Sequence, residues 1–255
     1  MMNNSTSDSV CPICNGKGFV ITWQKDERGN LTEYARRCQC QDKAEQLKLK
    51  GTSGIPAEYE KCTVRSFEIS LYNDTETAKK IKHAAGEYIN HFQQFREQGK
   101  GLYFYSRAKG SGKTRLACSL GNAVIATNTM RVSYIKTIEL LSMIKDTYNK
   151  KDAEITEKEV LDSIKKAPFL IVDDIGTEKT SEWVNSIFLE ILDYRISHLL
   201  VTIFTSNVPQ SDLKLDERIV DRIIKMSIEI HFPEENIRRK KANTECSELL
   251  KILGI

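Results

Sequence analysis

The clearest pattern along the chain is a series of short apolar runs, each closed by polar or glycine-rich residues and followed by helical spacing. Leu102-Tyr103-Phe104-Tyr105 reads as a buried strand, and residues 114–126 (TRLACSLGNAVIA) as an apolar-rich helix directly after a loop. Arg131 to Lys136 predicts a second strand and Ile138 to Tyr148 a helix. Phe169-Leu170-Ile171-Val172 is a third strand, running into two aspartates. Trp183, Val184, Ile187, Phe188, Ile191 and Leu192 then recur at helical spacing. Leu200 to Thr205 predicts a fourth strand, residues 213–225 a helix, and Ser227 to Phe232 a fifth strand. Such alternation predicts an α/β domain: a mostly parallel five-stranded sheet covered by helices on both faces.

Ahead of that domain the pattern changes. Phe19 to Trp23 and Leu31 to Tyr34 flank Asp-Glu-Arg-Gly-Asn, which reads as a hairpin. Residues 41–50 (QDKAEQLKLK) are charged and helix-favouring, and the breaker GTSGIP follows them. The chain therefore divides into a small domain with linker, residues 1–50, and a large domain, residues 51–255.

Composition narrows the function classes. The length of 255 residues suits one full domain and an appendage, with 40% hydrophobic and 29% charged residues. A net charge of +3 leaves any basic binding surface local rather than global. No apolar run approaches the roughly 18 residues of a membrane helix, and MMNNSTSDS lacks the features of a secretion signal. These features predict a cytoplasmic protein with no membrane partner, where thiols stay reduced. Seven cysteines, four of them within the first forty residues, then fit a metal better than disulfides.

Ser106 to Thr114 (SRAKGSGKT) lies between a predicted strand and a predicted helix, the context that a phosphate-binding loop requires. Gly110 and Gly112 let backbone N–H groups turn onto phosphate oxygens, and the following helix adds its positive N-terminal end. Lys113 supplies charge to the β- and γ-phosphates, and the Thr114 hydroxyl can ligate Mg²⁺. Lys109, Ser111 and Arg115 complete the candidate contacts to ATP. One departure stands out: Arg107 occupies the position where the pattern wants its first glycine.

On a buried strand, charges are tolerated where the strand emerges at the carboxyl edge of the sheet, and ligands bind there. Asp173 is thus expected to hold the Mg²⁺ shell, directly or through water, and Asp174 to orient or deprotonate an attacking water. The fourth strand ends in Thr205-Ser206-Asn207, where Asn207 is placed to bond either the water or the γ-phosphate. Arg218 and Arg222 lie four apart on one helix face, with Ile219, Ile223 and Ile224 on the opposite, buried side. Two readings stay open: a solvated face balanced by Glu217 and Asp221, or an Arg222 that reaches the ATP of a neighbouring subunit. Arg238 opens the last helix and is a candidate for the γ-phosphate in cis. Arg195 continues the apolar stripe of its helix and has no assigned role. Lys136, Thr137 and Lys145 are candidate contacts to DNA.

Cys11-Pro-Ile-Cys14-Asn-Gly-Lys-Gly18 resembles a zinc knuckle, and Cys38-Gln-Cys40 supplies a second pair. Joined by the hairpin, Cys11, Cys14, Cys38 and Cys40 would form one tetrahedral Zn²⁺ site. Cys62, Cys118 and Cys246 are isolated and read as buried small hydrophobes.

Nearly the whole chain resembles the DnaC/DnaI-type replicative helicase loaders, AAA+ P-loop ATPases with an IstB-like ATP-binding domain. The segments that carry the resemblance are CPICNGKGF with RCQC, SGIPAEY, KGSGKTRLA, FLIVDDIGTEKTSEW, TIFTSNVPQSDLKLDERIVDRI and IRRKKA. The resemblance implies ATP-controlled delivery of a DnaB-type ring helicase onto single-stranded DNA, with the amino-terminal domain gripping the helicase. It implies a homo-oligomer sharing ATP sites, with Asn207 as first sensor, Arg222 as arginine finger and Arg238 as second sensor. Asp174 departs from the pattern, since many relatives carry glutamate there, and with Arg107 it predicts slow hydrolysis. Two other roles stay open: an IstB-like helper of transposition, and a nucleotide-gated DNA adaptor with negligible turnover.

Overall fold

The computed structural model describes residues 11–26, 29–149 and 156–253. The stretch MMNNSTSDS, and Glu27 and Arg28 of the expected hairpin connection, lie outside the described residues. The chain divides into two compact units between Leu49 and Lys50.

The small unit is built on an antiparallel hairpin. Strands β1 (Phe19–Lys25) and β2 (Leu31–Arg37) pair with Thr22 opposite Tyr34, and helix α1 (Gln39–Gly51) follows. Among its described residues the only buried ones are Cys14 and Cys38. Phe19, Ile21 and Trp23, alternate positions of β1, are exposed.

The large unit carries a five-stranded sheet in the order β4-β5-β6-β3-β7, and every pairing in it is parallel. Its strands are β3 (Gly101–Tyr105), β4 (Val132–Lys136), β5 (Phe169–Ile175), β6 (Val201–Ser206) and β7 (Ser227–His231). Parallel strands need crossovers, and helices supply them: α4 (Lys113–Asn128), α5 (Thr137–Asn149), α6 (Glu157–Lys165), α7 (Glu182–Ser197) and α8 (Glu217–Met226). Ahead of β3 lie α2 (Thr75–Asn90) and α3 (Phe92–Glu97), and α9 (Ile237–Leu253) closes the described chain. On one face Tyr103, Leu170, Val172 and Phe204 join a core with residues of α5, α6, α7 and α8. On the other, α4 packs so closely that a methyl group on Gly121 would stand 3.0 Å from Ile171 Cδ1.

The elements left unassigned by the sequence pattern are α2, α3 and α6. Helix α2 buries Ala78, Ile81, Ala85 and Tyr88, so two of its four inward positions are alanines. Helix α6 is short, and its start is marked by a capping box: the Thr156 side chain accepts from Glu159 N–H, and the Glu159 carboxylate accepts from Thr156 N–H. Helix α8 begins later than the expected residue 213, because Asp216 caps it by accepting from Arg218 N–H. Ile224 is exposed at 48%, so only Ile219 and Ile223 of the three isoleucines face the core. Cys118 is buried as expected, whereas Cys62 is partly exposed and Cys246 exposed.

Arg195 has a clear place in this fold. It is fully buried on α7, and its guanidinium donates to the carbonyls of Ile164, Lys165, Ala167 and Val201 and to Thr202 Oγ1. The first three acceptors lie at and just beyond the end of α6, where helical carbonyls lack intrahelical partners. Arg195 therefore ties α6 and α7 to the starts of β5 and β6, although burial lowers its pKa to about 9.

Candidate phosphate-binding site and cysteine cluster

The carboxyl ends of β3, β5 and β6 meet at one edge of the sheet, with Tyr105 paired to Ser206. From β3 the chain enters the loop 106–112, and α4 starts at Lys113. Gly110 and Gly112 take φ of 74° and 95°, a region that favours glycine. Both are also closely approached: a methyl group on Gly112 would lie 2.5 Å from Tyr72 Oη, and one on Gly110 2.7 Å from Asn236 Oδ1 and 2.9 Å from Arg238 Cβ. Arg107 does not have a positive φ. The backbone thus accepts arginine at that position without strain.

Lys113 curls into the loop. Its Nζ donates to the carbonyls of Ser106 and Ala108, to Ser111 Oγ and, at 3.2 Å, to Asn207 Oδ1. Burial lowers its pKa to about 8, against the opposing pull of Asp174, Glu234 and Asp173.

The two aspartates diverge because β5 is irregular. Its register against β6 shifts between Val172 and Ile175, and Asp174 sits there with φ of 61°. Asp173 turns inward and is 5% exposed. Its carboxylate accepts from Thr114 Oγ1 at 2.8 Å, Tyr134 Oη at 2.8 Å and Thr205 Oγ1 at 2.6 Å. Asp174 instead accepts from Asn207 Nδ2 at 2.7 Å. Burial and then the charge of Asp173 raise its pKa above the usual carboxylate range, while Lys113 and Lys109 oppose that shift. The arrangement can hold a cation between the Thr114 hydroxyl and Asp173, and a water beside Asp174. The donor set, a hydroxyl and a buried carboxylate at one edge, fits Mg²⁺.

Beside the loop lies a cleft of about 270 Å³ whose walls include Tyr59, Leu71, Tyr72, Gly110, Arg115 and Ile237. Arg115 Nη2 donates to Ser66 O and Ser66 Oγ. Arg238 lines the same cleft, and its N–H donates to Gly110 O at 3.0 Å. Lys109 is exposed at the loop. Two groups that the sequence reading missed shape this edge: Tyr134, which fixes Asp173, and Glu234, whose carboxylate binds the loop backbone. Glu234 lies three residues beyond the end of β7, and an acidic residue just past a strand's carboxyl end was the signal available for it.

Arg222 is not brought to this edge. It lies on α8 in a shallow groove with Asp193, Ile196, Asp221 and Lys225. Its Nε and Nη2 donate to Asp193 at 2.5 and 3.1 Å, and its Nη1 donates to Arg218 O. Arg218 pairs with Asp216. The direct ion pairs of these two arginines are with Asp193 and Asp216. Of the candidate DNA contacts, Thr137 is fully buried, Lys145 stacks 5.0 Å over the Trp183 ring, and Lys136 is exposed.

In the small unit the four sulfurs of Cys11, Cys14, Cys38 and Cys40 lie within 4.8 Å of one another. Cys11 and Cys38 are 3.9 Å apart, and Cys14 and Cys40 3.5 Å apart. Sulfurs about 2.3 Å from a zinc ion have tetrahedral edges of roughly 3.8 Å, so the cluster fits that ion. Asn15, Gly16 and Gly18 take positive φ and bring Gly18 N–H to within 3.4 Å of Cys14 Sγ. The N–H groups of Cys14 and Ile13 lower the Cys11 thiol pKa to about 7, and that of Gly18 lowers Cys14. Both shifts favour the thiolate that a metal needs.

Residues 67–245 match the family model described as IstB-like ATP binding protein. A replicative helicase loader DnaC of Buchnera aphidicola subsp. Baizongia pistaciae is 29% identical over 225 residues, covering 87% of this chain and 86% of that protein. Among solved structures, the DnaC helicase loader is similar with a TM-score of 0.60 and 24% identity, covering 69% of this chain and 99% of that one. The crystal structure of DnaI gives 0.59 and 29%, covering 71% and 95%.

Proposed function

The chain belongs to the family of IstB-like ATP-binding proteins, and from that premise we propose that it hydrolyses ATP to deliver a replicative ring helicase onto single-stranded DNA. The observation that carries the ATPase half is the meeting of Thr114, Asp173, Asp174 and Asn207 beside the Lys113 loop. The loader half is supported by the curated relative that covers most of the chain, a replicative helicase loader.

In this reading the loop from Gly110 to Thr114 cradles the phosphates, and the cleft beside Tyr59, Leu71 and Ile237 takes the base. Mg²⁺, held by Thr114 and Asp173, would neutralise charge on the β- and γ-phosphates. Asp174, kept in place by Asn207, takes the proton of an attacking water, and its raised pKa suits that task. Arg238 approaches the γ-phosphate from the start of α9. Arg222 completes the site of a neighbouring copy and must leave Asp193 to do so. The residues up to 50 form a zinc-binding unit that grips the helicase, with Cys11, Cys14, Cys38 and Cys40 as ligands.

The test measures ATP turnover and helicase delivery onto circular single-stranded DNA. Wild type should exceed Asp174→Ala by about 10²–10⁴ in turnover, the range for a positioned acid–base group. Arg222→Ala and Lys113→Ala should each be inactive alone and regain activity when mixed, because one intact site needs Lys113 from one copy and Arg222 from the next. Wild-type turnover equal to that of Asp174→Ala would make the chain a nucleotide-gated adaptor. Turnover without helicase delivery would favour a transposition helper.

A further inference from the structure

We propose that Glu234 is a positioning residue for ATP binding, a built-in anion that holds the first half of the phosphate loop and couples it to α9. The proposal rests on reading 106–114 as an ATP loop.

The contacts are specific. The Glu234 carboxylate accepts from Ala108 N–H at 2.7 Å, Arg107 N–H at 3.1 Å and Ser106 Oγ at 3.1 Å. Its Oε1 also lies 2.8 Å from His231 Nε2. Burial by itself would raise its pKa, but these donors outweigh burial and hold the carboxyl near 2, so it stays an anion across the working range of pH. Two loop N–H groups, the kind of donor that a loop nest ordinarily offers to a phosphate, are thereby committed to a protein carboxylate. Arg107 fits this role: its N–H serves Glu234 while its guanidinium pairs with Asp212 at 3.0 Å. A glycine there would keep the N–H but lose that anchor.

The same segment reaches the second half of the loop. Four residues beyond Glu234, Arg238 N–H donates to Gly110 O, and Asn236 and Arg238 crowd the face of Gly110 where a side chain would project. The connection from β7 to α9 thus grips the loop at both ends. A shift of α9 moves the loop, and with it the N–H groups aimed at phosphate. Glu235 provides an internal contrast. Its carboxylate accepts from Asn73 N–H, Asp74 N–H and Lys240 Nζ. It fastens the start of α2 instead of the phosphate loop.

The experiment measures the affinity of the full chain for Mg-ATP by calorimetry, the melting temperature, and the split of turnover into KM and kcat. The variants are Glu234→Ala, Glu234→Gln and Glu235→Ala. Glu234→Gln is isosteric but leaves one acceptor oxygen for two backbone donors, and ATP affinity should fall about tenfold, the loss of one charge-assisted bond. Glu234→Ala should fall further. In both, KM should rise with kcat little changed, whereas Glu235→Ala should lower the melting temperature with ATP affinity nearly intact. Wild-type affinity in both Glu234 variants overturns the proposal, as does an equal loss in Glu235→Ala, which would mean general loosening. If wild type itself binds no ATP, the reading of the loop fails and the proposal falls with it. If wild type binds and only the Glu234 variants are normal, the loop reading survives alone.

Discussion

The two units of this chain hold themselves together by opposite means. The large unit buries whole strands: Leu102 to Phe104, Phe169 to Val172 and Val201 to Phe204 are each 3% exposed or less. Its fold follows from apolar area removed from water. The small unit buries only Cys14 and Cys38 among its described residues, and leaves Phe19, Ile21 and Trp23 in solvent. Its fold rests on a hairpin ladder and four sulfurs, and a segment of that size cannot build an adequate core by itself. The difference teaches where each unit is vulnerable. One should fail in graded steps, the other all at once.

Metal removal is the sharpest way to break that comparison. Purified protein should carry about one zinc per chain, and chelation or Cys14→Ser should remove roughly 10–16 kcal/mol of metal-linked folding. Amide exchange should then become fast across β1 and β2, with ATP affinity of the large unit unchanged. Protected hairpin amides in metal-free protein would show that the ladder suffices.

Arg195→Met tests the large unit at its most buried charge. The substitution keeps bulk but leaves the carbonyls of Ile164, Ala167 and Val201 without their donor. Urea unfolding should show a loss of about 3–5 kcal/mol, confined to the large unit. A neutral result would mean that the guanidinium merely fills space. The smallest effect is expected at the exposed cap of α6, where Thr156→Ala should lower stability by about 1 kcal/mol in thermal melts. A loss near that of Arg195→Met would contradict the graded behaviour argued for this unit.

Much of the site was legible in the chain because it sits where strands end. Asp173 and Asp174 close the apolar run of β5, Asn207 comes just after β6, and Lys113 ends the loop that leaves β3; a parallel sheet brings such positions to one edge. Tyr134 was not legible: it lies inside a strand, and only the pairing of β4 with β5 carries its hydroxyl to Asp173. Asp193 was hidden for a similar reason. It is a polar position on α7 until α8 packs alongside and presents Arg222. Helix α2 escaped because two of its four inward positions are alanines, which a search for large apolar residues passes over.

What the sequence determined by itself was local and periodic: the alternation of strand and helix, the glycines of the phosphate loop, and the spacing of the four thiols. These follow from dihedral freedom and from the repeats of 2.0 and 3.6 residues. Tertiary structure alone decided which charges meet. Arg195 became a buried clamp, Arg222 acquired Asp193, and Glu234 closed on the loop more than a hundred positions earlier in sequence. Such pairs have no signature in spacing, because the distance between their partners is set by how the sheet orders its strands.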